Sequence, residues 1–127
     1  MIAVDTSALM AILQGEPEAE ICASRLSDEA EILISAATIV EALIVAGRRN
    51  TGADMIRLIE SVGMDVIGVT SAAAHRIGAV YARWGKGFHP AALNFGDCFA
   101  YDVAKEYNCP LLFIGDDFSK TDILSAL

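Results

Sequence analysis

The chain is poor in positive charge. Nine Lys and Arg stand against seventeen Asp and Glu, a formal net charge of −8 at pH 7. A protein that grips phosphate backbones with its own side chains shows a basic footprint, and the totals here show none. That exclusion lapses only where acids hold divalent cations, which turn a negative patch into one that attracts phosphate. Cysteine is scarce too. Cys22, Cys98 and Cys109 form an odd, scattered set with no C-x-x-C pair, which argues against a disulfide framework and a zinc ribbon. They read as small buried thiols in a reducing compartment. Neither His75 nor His89 has the spacing of a zinc motif. There is no G-x-x-x-x-G-K-[ST] run, so P-loop nucleotide chemistry is excluded. No apolar run reaches the roughly 18–20 residues of a membrane-spanning helix. The richest, "AATIVEALIVAG" (36–47), is too short and carries Glu41. No basic segment followed by a cleavable apolar core opens the chain, so the expected location is the cytoplasm, without a membrane.

What is present is apolar and regularly punctuated. Apolar residues make up 54% of the 127 positions, and the mean hydropathy is +0.46. So much apolar surface without a membrane span predicts that a partner chain covers part of it. Residues 1–127 are long enough for one domain with a real core. Short β-type runs alternate with helix-type segments. Strands are expected at 2–5 ("IAVD"), 31–35 ("EILIS"), 64–69 ("MDVIGV") and 110–114 ("PLLFI"), with "SKTDILSAL" as an ambiguous last strand. Helices are expected over 6–14 with Gly15 as the stop, 17–26 with Pro17 in the first turn, 36–50, 52–63, from Ser71 to about 84, and from Asp97 to about Tyr107. The third of these is apolar almost all round, which predicts burial on several sides. Alternation of this kind implies parallel strands and right-handed crossovers, and the continuous apolar strands imply burial on both faces. The predicted fold is α/β, a three-layer α/β/α sandwich with a parallel sheet of about five strands.

The acids then acquire a pattern. Ligands bind such sheets beyond the carboxyl ends of the strands. Asp5 ends the first strand, Asp116 and Asp117 follow "LLFIG", Asp97 opens the helix before that strand, and Glu41 lies early in the helix after "EILIS". Each has a plain structural reading. Asp5 and Asp97 suit helix N-caps, and Gly-Asp-Asp suits a turn. Glu41, among Ile39, Val40, Ala42 and Leu43, would face desolvation unless paired or ligated. Four segments delivering acids to one edge form a self-repelling cluster that divalent cations relieve, and an all-oxygen donor set suits Mg²⁺ or Mn²⁺. Metals held by carboxylates bind phosphate and activate water, which points to phosphodiester hydrolysis.

The ordered set "VDTSAL" (4–9), Glu41 in its apolar helix, "NFGDCFAYDVAKE" (94–106) and "LLFIGDDFSKTDI" (111–123) resembles the PIN domain, and more closely the VapC-type toxins of bacterial toxin–antitoxin pairs. The resemblance spans essentially the whole chain. It implies a PIN-like fold over 1–127, a five-stranded parallel sheet and Mg²⁺- or Mn²⁺-dependent endoribonuclease activity on RNA. It further implies frequent homodimers and inhibition by a small cognate antitoxin protein. The family's acidic quartet falls on Asp5, Glu41, Asp97 and Asp116. Of these, Asp5 and Asp97 are expected to ligate metal directly, Glu41 and Asp116 directly or through water. Thr6 or Ser7 matches the hydroxyl the family places beside the first acid. Asp116 is expected to complete the site, because Gly115 releases the strand and aims the next residue over the sheet edge, and Asp117 to serve the turn.

RNA needs cations to meet it. Arg48, Arg49, Arg83 and Lys86 are the candidates, with Trp84 and Phe88 as stacking platforms. The plain reading gives Arg48 and Arg49 to a helix end and Trp84 to the core. A different class of function is a non-catalytic acidic module that binds a basic partner peptide, and metal titration separates the two. A receiver-type phosphoacceptor fits less well, because the first strand ends in one acid rather than a pair. A dehalogenase-like phosphatase would need D-x-D where the chain has "DTS".

Overall fold

The computed structural model describes all residues, 1–127. In chain order the elements are β1 (Ile2–Val4), α1 (Thr6–Gln14), α2 (Ala19–Asp28), β2 (Ile32–Ser35), α3 (Ala36–Arg48), α4 (Gly52–Val62), β3 (Asp65–Ile67), α5 (Ser71–Trp84), α6 (Phe95–Glu106) and β4 (Leu111–Leu112). The sheet has four strands in the order β3-β2-β1-β4, every pair parallel. β1 sits at the centre, with Ile2 opposite Ile32 and Val4 opposite Leu112. The expected fifth strand is reduced to one parallel bridge, Leu111 to Ser125, flanked by bonds from Leu111 N–H to Leu124 O and from Ala126 N–H to Leu111 O.

Strand alternation sorts the core into two layers. Ala3, Leu33 and Leu111 face one side, where Ala73 and Ile77 of α5 and Ala100, Tyr101, Val103 and Ala104 of α6 cover them. Ile2, Val4, Ile32, Ile34 and Leu112 face the other, against Leu9 of α1, Leu26 of α2, Ala42 and Ala46 of α3, and Met55 of α4. Burying each large aliphatic side chain contributes roughly 1.5–3 kcal/mol. This is the predicted α/β/α sandwich. No helix is long and apolar enough to cross a membrane.

Three expectations change. α2 starts at Ala19, two residues after Pro17, because the left-handed Gly15 cap ties its N–H to Ala11 O and Ile12 O and a further turn is needed before the chain can re-enter a helix. α3 is not buried on several sides. Only Thr38, Ala42 and Ala46 are buried, while Val40 and Ile44 are 55% and 53% exposed. Third, α6 begins two residues before Asp97, with Asn94 as its cap.

Candidate metal centre

Asp5 follows β1 directly, at the carboxyl edge of the sheet. Its extended backbone (φ −96°, ψ 156°) makes it the N-cap of α1. The cap uses a single oxygen: Oδ2 accepts from Ser7 N–H at 3.0 Å and from Ser7 Oγ at 2.7 Å. Oδ1 is buried and takes no hydrogen bond, one of two such side-chain atoms in the protein, the other being Thr38 Oγ1. A buried carboxylate oxygen without a partner is costly unless something absent from the chain meets it.

Asp97 is the third residue of α6 and closes a capping box. Its N–H donates to Asn94 Oδ1 at 2.8 Å, and its Oδ2 accepts from Asn94 N–H at 2.9 Å. The expectation that Asp97 itself caps the helix is therefore corrected: Asn94 caps, and Asp97 reaches back. Oδ1 of Asp97 remains outside this pair.

Glu41 projects from the second turn of α3. It is half-buried rather than sealed among apolar neighbours, because α3 leaves one side open. Oε1 accepts from Thr6 Oγ1 at 2.5 Å. Thr6 and Ser7 thus hold different acids. Ser7 Oγ also accepts from Ile114 N–H at 3.0 Å, tying the end of β1 to the segment that leads into Asp116.

That segment turns at Gly115, whose φ of 94° suits glycine. Phe118, 1% exposed, plugs the loop into the core against Phe113. Ser119 donates from N–H and Oγ to Asp116 O. Farther on, Asp122 accepts from Tyr101 Oη at 2.6 Å and from Lys105 Nζ at 3.0 Å, so α6 clamps the far end of the loop.

These carboxylates feel one another. Burial pushes Asp5 up from 3.8 to about 6, and the charge of Glu41 adds to the rise, against the lowering bonds from Ser7. Burial pushes Asp97 up to about 7, with Asp5, Asp117 and Glu41 adding and the Asn94 N–H opposing. The charge that reaches Asp97 from the loop is that of Asp117. The sequence expectation puts Asp116 in the site and Asp117 in the turn.

No three of these acids are drawn together as a ready-made cage. Repulsion disfavours that, and Asp5 and Asp97 each have one oxygen committed to an N–H. The donors nevertheless fit a hard divalent cation. They are all oxygens, one is buried and bare, and a positive charge among them would offset the burial and the neighbouring charges that raise both pKa values.

The proposed RNA-facing residues separate. Arg48 ends α3 seven residues past Glu41, about 10 Å along the helix, and Arg49 is the C-cap. Both sit at the helix end. Trp84 is 9% exposed, donates Nε1–H to Tyr101 Oη at 3.0 Å and meets His89 edge-on. It is core, not a stacking platform. Arg83 lies over its ring, 4.5 Å from the centroid. Lys86 and Phe88 are exposed, and Lys86 N–H bonds Leu93 O, one residue before the Asn94 cap.

Asn94, Tyr101 and Asp122 brace the site and, with Gly96, lie inside the quoted motifs without being site candidates there. The Asn-x-x-Asp spacing of 94–97 is a legible capping-box signal. The Tyr101–Asp122 pair leaves no local signal.

The PIN domain family model matches residues 2–124. Ribonuclease VapC36 of Mycobacterium tuberculosis is 42% identical over 124 residues, covering 94% of this chain and 89% of that protein. A ribonuclease VapC of Mycolicibacterium smegmatis is 37% identical over 123 residues, covering 94% and 95%. Among solved structures, the sarcin–ricin loop cleaving toxin VapC20 of M. tuberculosis superposes with a TM-score of 0.79 at 16% identity, covering 98% and 97%. A toxin–antitoxin complex from Klebsiella pneumoniae gives 0.74 at 18%, covering 100% and 98%.

Proposed function

Because this chain belongs to the PIN-domain family and, within it, to the VapC ribonucleases, we propose that it is a Mg²⁺- or Mn²⁺-dependent endoribonuclease, the toxin of a toxin–antitoxin pair, with 1–127 as a single PIN-like domain. The observation that carries the metal is Asp5 Oδ1, buried and unpaired beside carboxylates whose charges raise one another's pKa.

When bound, a divalent cation supplies Lewis-acid polarisation of a phosphate and lowers the pKa of water. Asp5 Oδ1 and Asp97 Oδ1 are the direct ligands in this reading. Ser7 keeps the other oxygen of Asp5 occupied, and Asn94 does the same for Asp97, so each Asp presents one fixed oxygen. Glu41, oriented by Thr6, adds an oxygen to the centre, directly or through water. Asp117, with Asp116 beside it, closes the fourth side. Lys86 and Phe88 offer a cation and an aromatic face to RNA near the start of α6.

An apolar hollow lined by Val40, Ile44, Val45, Phe95 and Phe99 opens directly beside Glu41 and Gly96. It supports a small antitoxin that lays apolar side chains there and sends a basic one among the acids. The exposed apolar side chains, Phe95 at 75% and Ile44 at 53%, also support a homodimer. This reading puts the protein in the cytoplasm with its RNA.

Calorimetric titration of purified, antitoxin-free protein with Mn²⁺ tests it. Wild type binds, and Asp5→Asn loses binding and RNA cleavage while keeping its fold. Equal binding by Asp5→Asn would remove the site from this edge of the sheet, and a wild type that binds no Mn²⁺ would favour a non-catalytic acidic module.

A further inference from the structure

Gly96 lies in the first turn of α6, where glycine is a poor helix former relative to alanine. Its backbone does not call for glycine: the positive-φ glycines are Gly15, Gly63, Gly87 and Gly115. The space beside it does. A Cβ at Gly96 would overlap Glu41 Oε2 and lie 2.6 Å from Cδ and 3.0 Å from Oε1. The other helical glycines are unlike it. Gly47 and Gly78 have nothing within 4 Å of the corresponding position, and Gly52 meets only the Gly47 backbone at ordinary contact, 3.7 Å and beyond.

The Glu41 carboxylate is therefore held from two sides by two other helices. Thr6, the first residue of α1, donates to Oε1, and the bare Cα of Gly96 admits Oε2 to the first turn of α6. The positive end of that helix favours a carboxylate there. Thr6 follows Asp5 and Gly96 precedes Asp97 in the chain, so contacts to both set the Glu41 carboxylate between the two aspartates.

We propose that Gly96 is a positioning residue: by lacking a side chain it lets the Glu41 carboxylate seat against α6 and face the two aspartates. The inference rests on the reading of Glu41 as a member of the metal centre. Glu41 is the far end of a flexible side chain, so a methyl at 96 displaces the acid and leaves the fold standing.

Gly96→Ala separates this from a structural role. The melting temperature of the metal-free variant stays level or rises, because alanine suits the helix better. Mn²⁺ affinity falls about ten- to a hundredfold, as for other residues that orient ligands. A residue needed only for folding would give the opposite pair of results. Shortening the acid supplies a second test. Glu41→Asp lowers Mn²⁺ affinity in the wild-type background, because the carboxylate no longer reaches. In the Gly96→Ala background it raises affinity, because the shorter side chain clears the methyl. A crystal structure of metal-free Gly96→Ala is expected to show Glu41 off Thr6 Oγ1 with α6 unmoved.

Gly96→Ala that binds Mn²⁺ within twofold of wild type, or Glu41→Asp acting in the same direction in both backgrounds, overturns the inference alone. A shifted α6 with Glu41 still on Thr6 overturns it without reference to metal. Wild-type protein that binds no Mn²⁺ overturns the reading of the centre itself.

Discussion

Asp97→Asn in the metal-free protein should make the fold more stable at pH 8 while destroying the centre. The carboxyl titrates near 7 in the fold against an ordinary value of 3.8. Holding it ionised at pH 8 therefore opposes folding by roughly 4 kcal/mol, taking 1.36 kcal/mol per pH unit. Part of the rise at Asp97 comes from the charge of Asp5, so a gain of about 2–4 kcal/mol is expected for the single substitution. The amide can still accept from Asn94 N–H, so the capping box survives. The sign follows from proton counts. Between about pH 4 and 7 the folded protein binds more protons at Asp5 and Asp97 than the unfolded chain, so wild-type stability is full below the ordinary value and declines as pH rises through the folded one. Urea unfolding in EDTA from pH 4 to 8 measures this. The wild-type curve falls across the window, Asp97→Asn falls less, and their difference grows with pH. Adding Mn²⁺ at pH 8 restores wild type and leaves the variant unchanged. A wild-type curve flat over that window, or a variant less stable than wild type at pH 8 in EDTA, would refute the reasoning.

Asp117→Asn is expected to weaken Mn²⁺ binding more than Asp116→Asn, since the charge of Asp117 adds to the rise at Asp97; calorimetry on both variants decides, and a larger loss from Asp116→Asn supports the sequence expectation instead. Tyr101→Phe leaves Trp84 Nε1–H without its acceptor and removes one donor to Asp122, so urea unfolding should show a loss of about 1–3 kcal/mol; a neutral result would mean that the loop clamp carries no stability. Light scattering of the antitoxin-free protein at micromolar concentration should give a dimer, and a monomer would leave the exposed Val40, Ile44 and Phe95 to the antitoxin alone.

The layers of this fold are legible in sequence because they rest on long, strongly patterned segments. The apolar strands expected at 2–5 and 31–35, the stop at Gly15 and the helix from Ser71 all lie within a residue of where periodicity and capping put them. The gathering of acids at one sheet edge is legible for the same reason, since strand direction alone delivers Asp5 and the 115–117 loop to it. Details decided by side-chain competition are not. Asn94 and Asp97 are both good caps, and only the reciprocal bonds show which one holds the position. Trp84 looks like a stacking surface until its N–H is seen to face Tyr101 inside the core. The open side of α3 escapes hydropathy reasoning, because an apolar helix face reads alike whether its own chain or another covers it. The role of Gly96 is invisible locally, since its reason lies on a helix some fifty residues away.

Mapping the RNA ends made by the purified, antitoxin-free protein tests the central claim most directly. Structured RNAs incubated with Mg²⁺ or Mn²⁺ should be cut to fragments bearing 5′-phosphate and 3′-hydroxyl ends, because water rather than the ribose 2′-OH attacks the phosphorus. EDTA, or Asp5→Asn, should leave the RNA whole. Fragments ending in 2′,3′-cyclic phosphate, or undiminished cleavage in EDTA, would contradict a metal-dependent hydrolase at this site.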